Sequence, residues 1–191
     1  MKILIAGAGA LGSNIAKYLT IDLKGKHEIS VVDFDKVEKR NIQAGTQFFM
    51  PDQIGLYKVD ALQFNIYKAF QREIVIYSQK IQDLITWDFD LIIDCFDNHE
   101  ARKWLQDRYV FPLRADILHV GFSDQFTFAI EWADNYKVPE DITSGMDICE
   151  MEGASSFVNM VASLASLAAQ EFIVNKKKQE FLGNRFKITT L

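Results

Sequence analysis

The 191-residue chain is poor in the residues that define several protein classes. It has two cysteines, Cys95 and Cys149, which are too few for a disulfide framework or for a zinc site built from paired CxxC motifs. The three histidines are scattered over different predicted elements and form no ligand cluster. Aspartate and glutamate outnumber lysine and arginine by 26 to 21, so the net charge of −5 gives no field that would attract nucleic acid or an anionic membrane.

Targeting and membrane-spanning segments are not expected either. Met1 and Lys2 lead directly into a short apolar run, without the features of a signal peptide. No apolar run approaches the roughly 20 residues that span a bilayer. With 49% hydrophobic and 25% charged residues, we expect one cytoplasmic globular domain over residues 1–191, long enough to bury a sizeable core.

The most informative stretch is the apolar run at residues 3–6, which a G-x-G-x-x-G motif follows. Such a run, bounded by glycines, predicts a buried strand. Gly7 would allow the turn out of that strand, Gly9 would let a phosphate approach the backbone, and Gly12 would let the next helix pack closely. The N–H groups and the dipole of that helix would then face whatever lies over the loop. This pattern predicts a nucleotide-phosphate site, although a tight turn that binds nothing has the same local sequence.

Acidic residues follow the next predicted strand. Asp33 stands 21 positions after Gly12, close to the roughly 20 expected for a carboxylate that binds ribose hydroxyls. Asp35 and Asp97 are harder to place beside a phosphate site because each would repel a polyphosphate. A Mg²⁺ ion held by one carboxylate and phosphate oxygens would resolve the repulsion, so these acids favour ATP with Mg²⁺ over NAD. The simpler alternatives are a turn for Asp35 and helix capping for Asp97.

The order of predicted elements indicates an α/β fold with a doubly wound, mostly parallel sheet. Residues 125–132 alternate between apolar and polar and resemble an antiparallel strand, and residues 185–191 predict a last edge strand. In such sheets ligands bind at the carboxyl ends of the strands, which would bring the glycine loop together with Asp33, Asp35, Asp94 and Asp97. The other predictions are parallel strands at 2–6, 28–34, 73–78, 89–95 and 117–122, and helices at 10–20, from Lys58 to about Phe70, 98–111 and 153–175.

Five motifs, in their order along the chain, resemble those of the ThiF/MoeB/HesA family, the adenylating fold of ubiquitin-like-protein activating enzymes. The family's D-x-D-x-V-x-x-S-N-L-x-R-Q corresponds to residues 33–45, and its G-x-x-K to residues 55–58. Its D-x-x-D-N-x-x-x-R corresponds to residues 94–102, and its C-x-x-x-G to residues 149–153. The glycine loop is the fifth motif, and the match extends over most of the chain.

The resemblance implies a function and assigns residues to it. Asp33 would hold the ribose, Asn41 and Lys58 would contact phosphates, and Asp97 would bind Mg²⁺. The reaction would be ATP-dependent adenylation of the C-terminal carboxylate of a small ubiquitin-like or sulfur-carrier protein of the β-grasp fold, with Lys58 stabilising the developing charge. The family's dimeric habit implies a homodimer. The alternative for Lys58 is an exposed lysine in the first turn of a helix.

Cys149 stands where some family members keep a reactive cysteine in a flexible loop. Its thiolate would be able to take the acyl group from the adenylate. The neighbouring Asp147, Glu150 and Glu152 would raise the pKa of the thiol and make it a poorer nucleophile. Both a covalent role and an incidental loop thiol therefore remain open, whereas Cys95, directly after a buried strand, is expected to be a small core residue.

The chain departs from the family pattern at three points. Ala44 and Gly45 replace the family's Arg-Gln pair, whose arginine contacts the triphosphate, and Arg40 stands in place of its serine. The family usually carries helices before the glycine loop, whereas the apolar run of the first predicted strand here starts at Ile3, and the zinc-binding cysteine pairs of many members are absent from this sequence. These departures leave two rival functions open: a non-catalytic nucleotide-binding or partner-binding relative of the family, and an NAD(P)-dependent oxidoreductase that shares the glycine loop and Asp33.

Overall fold

One sheet of eight strands organises the part of the chain that the computed structural model describes, which is residues 1–85, 87–110, 115–140 and 151–191. The strands are β1 (Lys2–Ala6), β2 (Glu28–Val32), β3 (Val75–Tyr77), β4 (Leu91–Asp94), β5 (Asp116–Phe122), β6 (Thr127–Trp132), β7 (Phe181–Asn184) and β8 (Lys187–Thr190). The helices are α1 (Ala10–Asp22), α2 (Lys39–Gln43), α3 (Lys58–Phe70), α4 (His99–Val110) and α5 (Ala154–Asn175). Short 3₁₀ turns lie at Pro51–Gln53 and Ile81–Asp83.

The sheet runs in the order β3-β2-β1-β4-β5-β6-β7-β8. The first five strands in this order are parallel, and β6, β7 and β8 continue the sheet antiparallel. From β1 the chain adds β2 and β3 on one side and then β4 and β5 on the other. The boundary between β1 and β4 is therefore the switch point where ligands bind in doubly wound sheets. The predicted fold class, with its antiparallel strands at the C-terminal end, is therefore confirmed.

Two apolar cores cover the two faces of the sheet. Successive side chains of a strand point to opposite faces, so Ile3 and Ile5 of β1 join one core while Leu4 and Ala6 join the other. The first core also contains apolar residues of α1, α3 and α5, and the second contains Leu105 of α4. The helices thus hold the sheet from both sides and leave its carboxyl edge open between them.

The sequence did not predict β7. This strand reads Phe-Leu-Gly-Asn, and glycine and asparagine are typical of turns rather than of strands. Gly183 forms part of a tight hairpin, since a Cβ atom there would lie 2.2 Å from the Lys187 carbonyl oxygen. The pairing of β7 with both β6 and β8 decides its conformation, and local propensity does not.

α5 corrects the expectation about apolar runs. Among the described residues it is long and apolar enough to cross a bilayer by length and composition alone, with a mean hydropathy of 1.5. In the folded chain, however, 56% of its apolar window is buried, in the core that it shares with α1. Six of its eleven buried residues are alanine or serine, among them the fully covered Ala162, Ala165 and Ala169, as expected of a helix that packs closely against its neighbour.

Candidate active site

Gly7 and Gly12 of the glycine loop have the structural roles that their spacing predicts. Gly7 has φ +98°, in the region that favours glycine, and its N–H donates to the Val32 carbonyl at 2.9 Å. A Cβ on Gly12 would lie 1.8 Å from the Gly7 carbonyl oxygen, so the close packing of α1 against the loop requires a glycine there. Around Gly9, in contrast, a Cβ would meet no atom within 4 Å. The backbone at Gly9 is therefore open to a ligand.

A cavity of about 290 Å³ lies over this loop at the carboxyl edge of the sheet. It is lined by the loop, by the segments that follow β2, β3 and β4, and by the first turns of α3 and α4. Of the predicted site residues, it brings together Gly7, Gly9, Asp33, Asp35, Lys58 and Asp97. The sequence pattern thus predicts four polar side chains and two glycines of one cavity from four separate stretches of chain.

Asp33 joins the glycine loop after β1 to the loop after β2. Its two carboxylate oxygens accept the Ala8 N–H and the Asp35 N–H, each at 2.7 Å. The side chain is almost fully buried, and burial raises the pKa of Asp33 above its ordinary value, while Lys58 and the two backbone donors oppose that shift. Each oxygen of an ionised carboxylate has a second lone pair, so Asp33 is able to accept a ligand hydroxyl as well.

Lys58 and Asp35 form an ion pair on the wall of the cavity. The Lys58 Nζ donates to the Asp35 carboxylate at 2.9 Å, and the Lys58 side chain is only 11% exposed. The backbone N–H of Lys58 also donates to the Asp35 carbonyl at 2.9 Å. Two bonds thus join the start of α3 to the loop after β2 and aim the ammonium group into the cavity, so Lys58 is not an exposed lysine of the first turn.

The predicted alternative role of Asp97, helix capping, is taken by its neighbour. The Asn98 side-chain oxygen accepts the Ala101 N–H at 2.9 Å at the start of α4. Asp97 precedes this cap and lines the cavity. Its carboxylate therefore remains available to a ligand or to a cation.

Asp94 does not join the cavity, contrary to the strand-end prediction. It is completely buried, and its carboxylate lies 2.7 Å from the His119 ring and 3.8 Å from the Arg102 guanidinium. Asp94 ends a strand with its side chain pointing into the second core, beneath α4. The strand-end rule gives the edge of the sheet at which a residue lies, whereas the alternation of side chains decides the face on which it lies.

Asn41 and the segment after it lie apart from the cavity lining. Asn41 is buried in α2, and its side-chain oxygen accepts the Glu38 N–H at 2.7 Å. Arg40 pairs with Glu38 at 2.7 Å on an exposed surface, and Gly45 accepts a hydrogen bond from Ser155 at 2.9 Å. The phosphate-contact role of Asn41 stays a prediction, and in this geometry Arg40 does not supply the cation that the family's Arg-Gln pair provides.

The two cysteines have different standing. Cys149 lies outside the described residues, so its role stays a prediction. Cys95 lines the cavity beside Gly7, which makes it more than the core residue that the sequence indicates. Burial and the adjacent Asp94 carboxylate raise the pKa of Cys95 well above that of a free thiol, so the group stays protonated and is a poor nucleophile.

Several lining residues were not foreseen. Lys80 follows β3 and places its ammonium 5.4 Å from the centre of the half-exposed Phe34 ring. Gln79 and Gln82 lie in the same segment. The strand-end rule, applied to β3 as it was to β2 and β4, would have found them. The ends of β2 and β4 are marked by acidic residues, whereas the cavity-lining segment after β3 contributes no acid.

The donor set determines which cations this site suits. In the described part of the chain, no group of three or more histidine, cysteine, aspartate or glutamate side chains is arranged to hold a metal ion. The described side chains of the cavity therefore do not form a site that coordinates a metal ion by protein ligands alone. Mg²⁺ commonly binds through one or two carboxylates together with substrate phosphates and water. Asp97, in the same cavity as the open glycine loop, suits this mode of coordination.

The fold and cavity define a doubly wound α/β protein with a ligand site at its switch point. The model of the ThiF family matches residues 1–191. The chain therefore belongs to the ThiF family, and the resemblance seen in its motifs is confirmed.

Curated relatives include activating enzymes and adenylyltransferases. The chain is 36% identical over 114 residues to the NEDD8-activating enzyme E1 catalytic subunit of Schizosaccharomyces pombe, an alignment that covers 57% of this chain and 25% of the relative. It is 31% identical over 112 residues to the adenylyltransferase and sulfurtransferase UBA4 of Scheffersomyces stipitis, covering 56% and 24%. The aligned part thus spans about a quarter of the length of these relatives.

Solved structures share the fold over the whole chain. Escherichia coli MccB, solved with ATP, superposes with a TM-score of 0.73 at 17% identity, covering 100% of this chain and 62% of that one. PaaA superposes with a TM-score of 0.69 at 17% identity, covering 100% and 62%. At this level of identity the likeness establishes the fold.

Proposed function

We propose that this chain binds ATP with Mg²⁺ in the cavity and adenylates the C-terminal carboxylate of a small ubiquitin-like or sulfur-carrier protein of the β-grasp fold. One observation carries the proposal: four features line a single cavity. They are the open glycine loop, Asp33 at the position of a ribose-binding carboxylate, Lys58 in its ion pair with Asp35, and Asp97, which does not cap a helix. The motif resemblance to activating enzymes, and the names of the curated relatives, support the reaction and the class of partner.

The backbone and Asp33 account for the nucleoside and its phosphates. The open space at Gly9 lets a phosphate approach the loop, and the N–H groups at the start of α1 are the usual donors to such a group. Asp33 is held at the end of β2 by two backbone N–H donors. Its remaining lone pairs suit the ribose hydroxyls.

The charge balance of the cavity supports a divalent cation. The described acids of its lining are Asp33, Asp35, Asp97 and Glu100, and its described cations are Lys58 and Lys80. A triphosphate added to this lining would meet a surplus of negative charge. Asp97 would hold Mg²⁺ together with phosphate oxygens, and the ion would neutralise charge on the polyphosphate.

The reaction is a transfer of the adenylyl group. An oxygen of the partner's C-terminal carboxylate attacks the α-phosphorus, the bond between the α-phosphorus and the bridging oxygen breaks, and pyrophosphate leaves with that electron pair. Lys58, a fixed cation on the cavity wall, would stabilise the charge that develops on the phosphates. No proton needs to be removed from the attacking carboxylate, so the site needs positioning and positive charge more than it needs a general base.

ATP–pyrophosphate exchange tests the proposal. Purified protein is incubated with ATP, MgCl₂, labelled pyrophosphate and candidate β-grasp proteins that end in Gly-Gly. Exchange should depend on the partner and should fall by about 100-fold or more in Asp97→Asn, because that change removes the charge proposed to hold Mg²⁺. Asp107→Asn on α4 is the matched control, since Asp107 forms an exposed pair with Lys103 and is not among the described residues that line the cavity; this variant should leave exchange unchanged.

One observation favours the non-catalytic alternative within the same family. Ala44 and Gly45 supply no charge, and Arg40 is engaged with Glu38 away from the cavity. If the protein binds ATP and Mg²⁺ but no candidate partner supports exchange, a nucleotide-binding module is the better description. Binding of NAD without binding of ATP would instead support an oxidoreductase.

A homodimer and a cytoplasmic location remain proposals. The dimer is supported by the resemblance and by the exposed apolar residues Leu167 and Val174, which lie seven residues apart on α5 and so share one face. Light scattering coupled to size-exclusion chromatography tests it, with Leu167→Lys expected to shift the mass towards that of a monomer. An unchanged dimer mass would place the interface elsewhere.

A further inference from the structure

His119 is the one buried histidine among the described residues, and the proposed reaction does not use it. Its ring is fully covered, with Nδ1 2.7 Å from the Asp94 carboxylate and Nε2 3.0 Å from the Gln106 side-chain oxygen. The Gln106 amide nitrogen donates to the Ala133 carbonyl at 3.0 Å, which fixes the amide so that its oxygen faces the ring. His119 therefore faces a hydrogen-bond acceptor at both of its nitrogens.

The surroundings of the ring are polar and closely packed. The Tyr136 ring stacks on His119 with 3.7 Å between centres and 10° between planes, and Arg102 donates to the Tyr136 hydroxyl at 3.0 Å. Glu131 stands opposite His119 on β6. Burial lowers the pKa of His119, and its bond with Asp94 opposes that shift. A ring held in this way has few orientations open to it.

Asp94 connects His119 to the cavity. One carboxylate oxygen of Asp94 receives the His119 contact, and the other accepts the Phe96 N–H at 3.0 Å. Phe96 and the next residue, Asp97, both line the cavity. Because the two oxygens of one carboxylate move together, the bond at one oxygen sets the direction in which the other can hold the loop.

We propose that His119 is a positioning residue: by donating from Nδ1 to Asp94 it fixes the carboxylate that holds the Phe96 N–H, and it thereby places Asp97 for Mg²⁺. The inference rests on the proposed function, since it assumes that Asp97 binds the ion with ATP. Partners one step behind a metal ligand typically change metal affinity about 10- to 100-fold when they are lost. His119 is further from the ion than such a partner, because it contacts Asp94, which in turn accepts the N–H of Phe96, the residue before Asp97.

Two isosteric substitutions separate the Asp94 bond from the mere filling of space. In His119→Asn the side-chain amide nitrogen takes the place of Nδ1 and continues to donate to Asp94. In His119→Gln the amide reaches towards Gln106 and leaves Asp94 without that donor. ATP binding is measured by calorimetry over a series of MgCl₂ concentrations, and thermal unfolding is recorded for each variant.

We expect His119→Gln to raise the Mg²⁺ concentration at half-maximal ATP binding by about tenfold, and His119→Asn to keep the wild-type value. Binding of ATP without Mg²⁺ should be the same in all three proteins. If the two variants shift the Mg²⁺ midpoint equally, or if neither shifts it, the positioning role is overturned. If the wild-type protein itself shows no Mg²⁺-dependent ATP binding, the proposed function fails before the inference is reached.

A third variant keeps the inference falsifiable if the substitutions at His119 do not fold. Gln106→Glu leaves the ring in place and adds a carboxylate at Nε2 that competes with Asp94 for the proton of a neutral ring. Gln106 is only partly buried, but the change also removes its donor to the Ala133 carbonyl, so thermal unfolding is recorded for this variant as well. We expect the Mg²⁺ midpoint to rise by about threefold at pH 8 and to return towards the wild-type value at pH 6, where a protonated ring serves both carboxylates. A midpoint equal to that of the wild type at both pH values would overturn the proposal.

Discussion

At the scale of single residues, Lys58 shows how position changes the meaning of a residue. Lysine at the start of a helix is usually exposed, because its charge is well solvated there. Here the side chain is 11% exposed and its ammonium is held against Asp35. A polyanion in the cavity would meet an ammonium that is already oriented, so little side-chain entropy remains to be lost on binding.

We therefore expect Lys58→Met to weaken ATP binding by about 10- to 100-fold, since a hydrogen bond to a charged group is worth about 1.5–3 kcal/mol. Methionine keeps the length and the apolar stem of lysine, so the fold should be retained. Calorimetric titration with ATP and MgCl₂ measures the loss.

The control for this change is Lys68→Met at the far end of the same helix, where the ammonium lies 5.7 Å from the centre of the exposed Phe64 ring. That variant should bind ATP as the wild type does. Equal affinities for Lys58→Met and the wild-type protein would remove Lys58 from the site.

Two buried acids at the ends of parallel strands also show that position decides the role of a residue. Asp33 directly follows the parallel strand β2 and Asp94 is the last residue of β4, and both are buried. Asp33 is held by two backbone donors beside the cavity, whereas Asp94 faces His119 and Arg102 inside the second core. The face on which each carboxylate lies follows from the alternation of side chains along its strand, and its partners depend on what packs against that face.

At the scale of the element, the glycine loop and α1 form one unit. The loop approaches the helix so closely that a methyl group on Gly12 would overlap the Gly7 carbonyl, whereas a methyl group on Gly9 would project into open space. One glycine is thus required by the folded chain itself, whereas at the other the fold leaves room for a side chain, and we expect a bound ligand to be what requires the glycine there. Two single substitutions separate these roles.

Gly12→Ala should lower the free energy of unfolding by about 3 kcal/mol, because backbone atoms have to move to admit the methyl group. Gly9→Ala should change it by less than about 0.5 kcal/mol but weaken ATP binding by about tenfold or more, because the methyl group occupies the space that a phosphate approaches. Urea denaturation and calorimetry measure the two effects, and each variant is the control for the other. Full ATP affinity in a stable Gly9→Ala protein would show that the phosphates do not lie over this loop.

At the scale of the whole molecule, the cavity exists only because several elements meet. Its walls come from the segments after four strands and from the starts of two helices, and unfolding would disperse all of them. A ligand that binds there therefore stabilises the entire fold by mass action.

At a concentration about 100 times its dissociation constant, ATP with Mg²⁺ should add about 2.7 kcal/mol to the free energy of unfolding, and NAD should add nothing. Removing Mg²⁺ with EDTA should abolish most of the ATP effect, because the acids of the cavity would then repel the triphosphate. Differential scanning fluorimetry gives the comparison, with EDTA alone as the control. Stabilisation by NAD but not by ATP would reverse our assignment of the ligand.

Much of this architecture could be predicted from the sequence. The alternation of apolar strands with amphipathic helices gave the doubly wound sheet, and the strand-end rule placed Gly9, Asp33 and Asp97 at one edge. These predictions succeed because they depend on local periodicity and on chain direction, which are written in the order of residues. The missed β7 and the unforeseen Lys80 are different. The strand forms because it pairs with both β6 and β8. Lys80 follows the end of β3, so the strand-end rule covers its position, but the segment carries no motif that marks it.

By itself, the amino-acid sequence determined the family, the class of fold and the edge of the sheet at which a ligand would bind. Only the tertiary structure decided which acids face that ligand, that Lys58 is held against Asp35 in the cavity wall, and that Asp94 instead turns inward to His119. The physical reason is that motifs report spacing along the chain, whereas a side chain's partners depend on which face of the sheet it occupies and on what packs there. His119 and Asp94 are 25 residues apart in sequence and 2.7 Å apart in the fold.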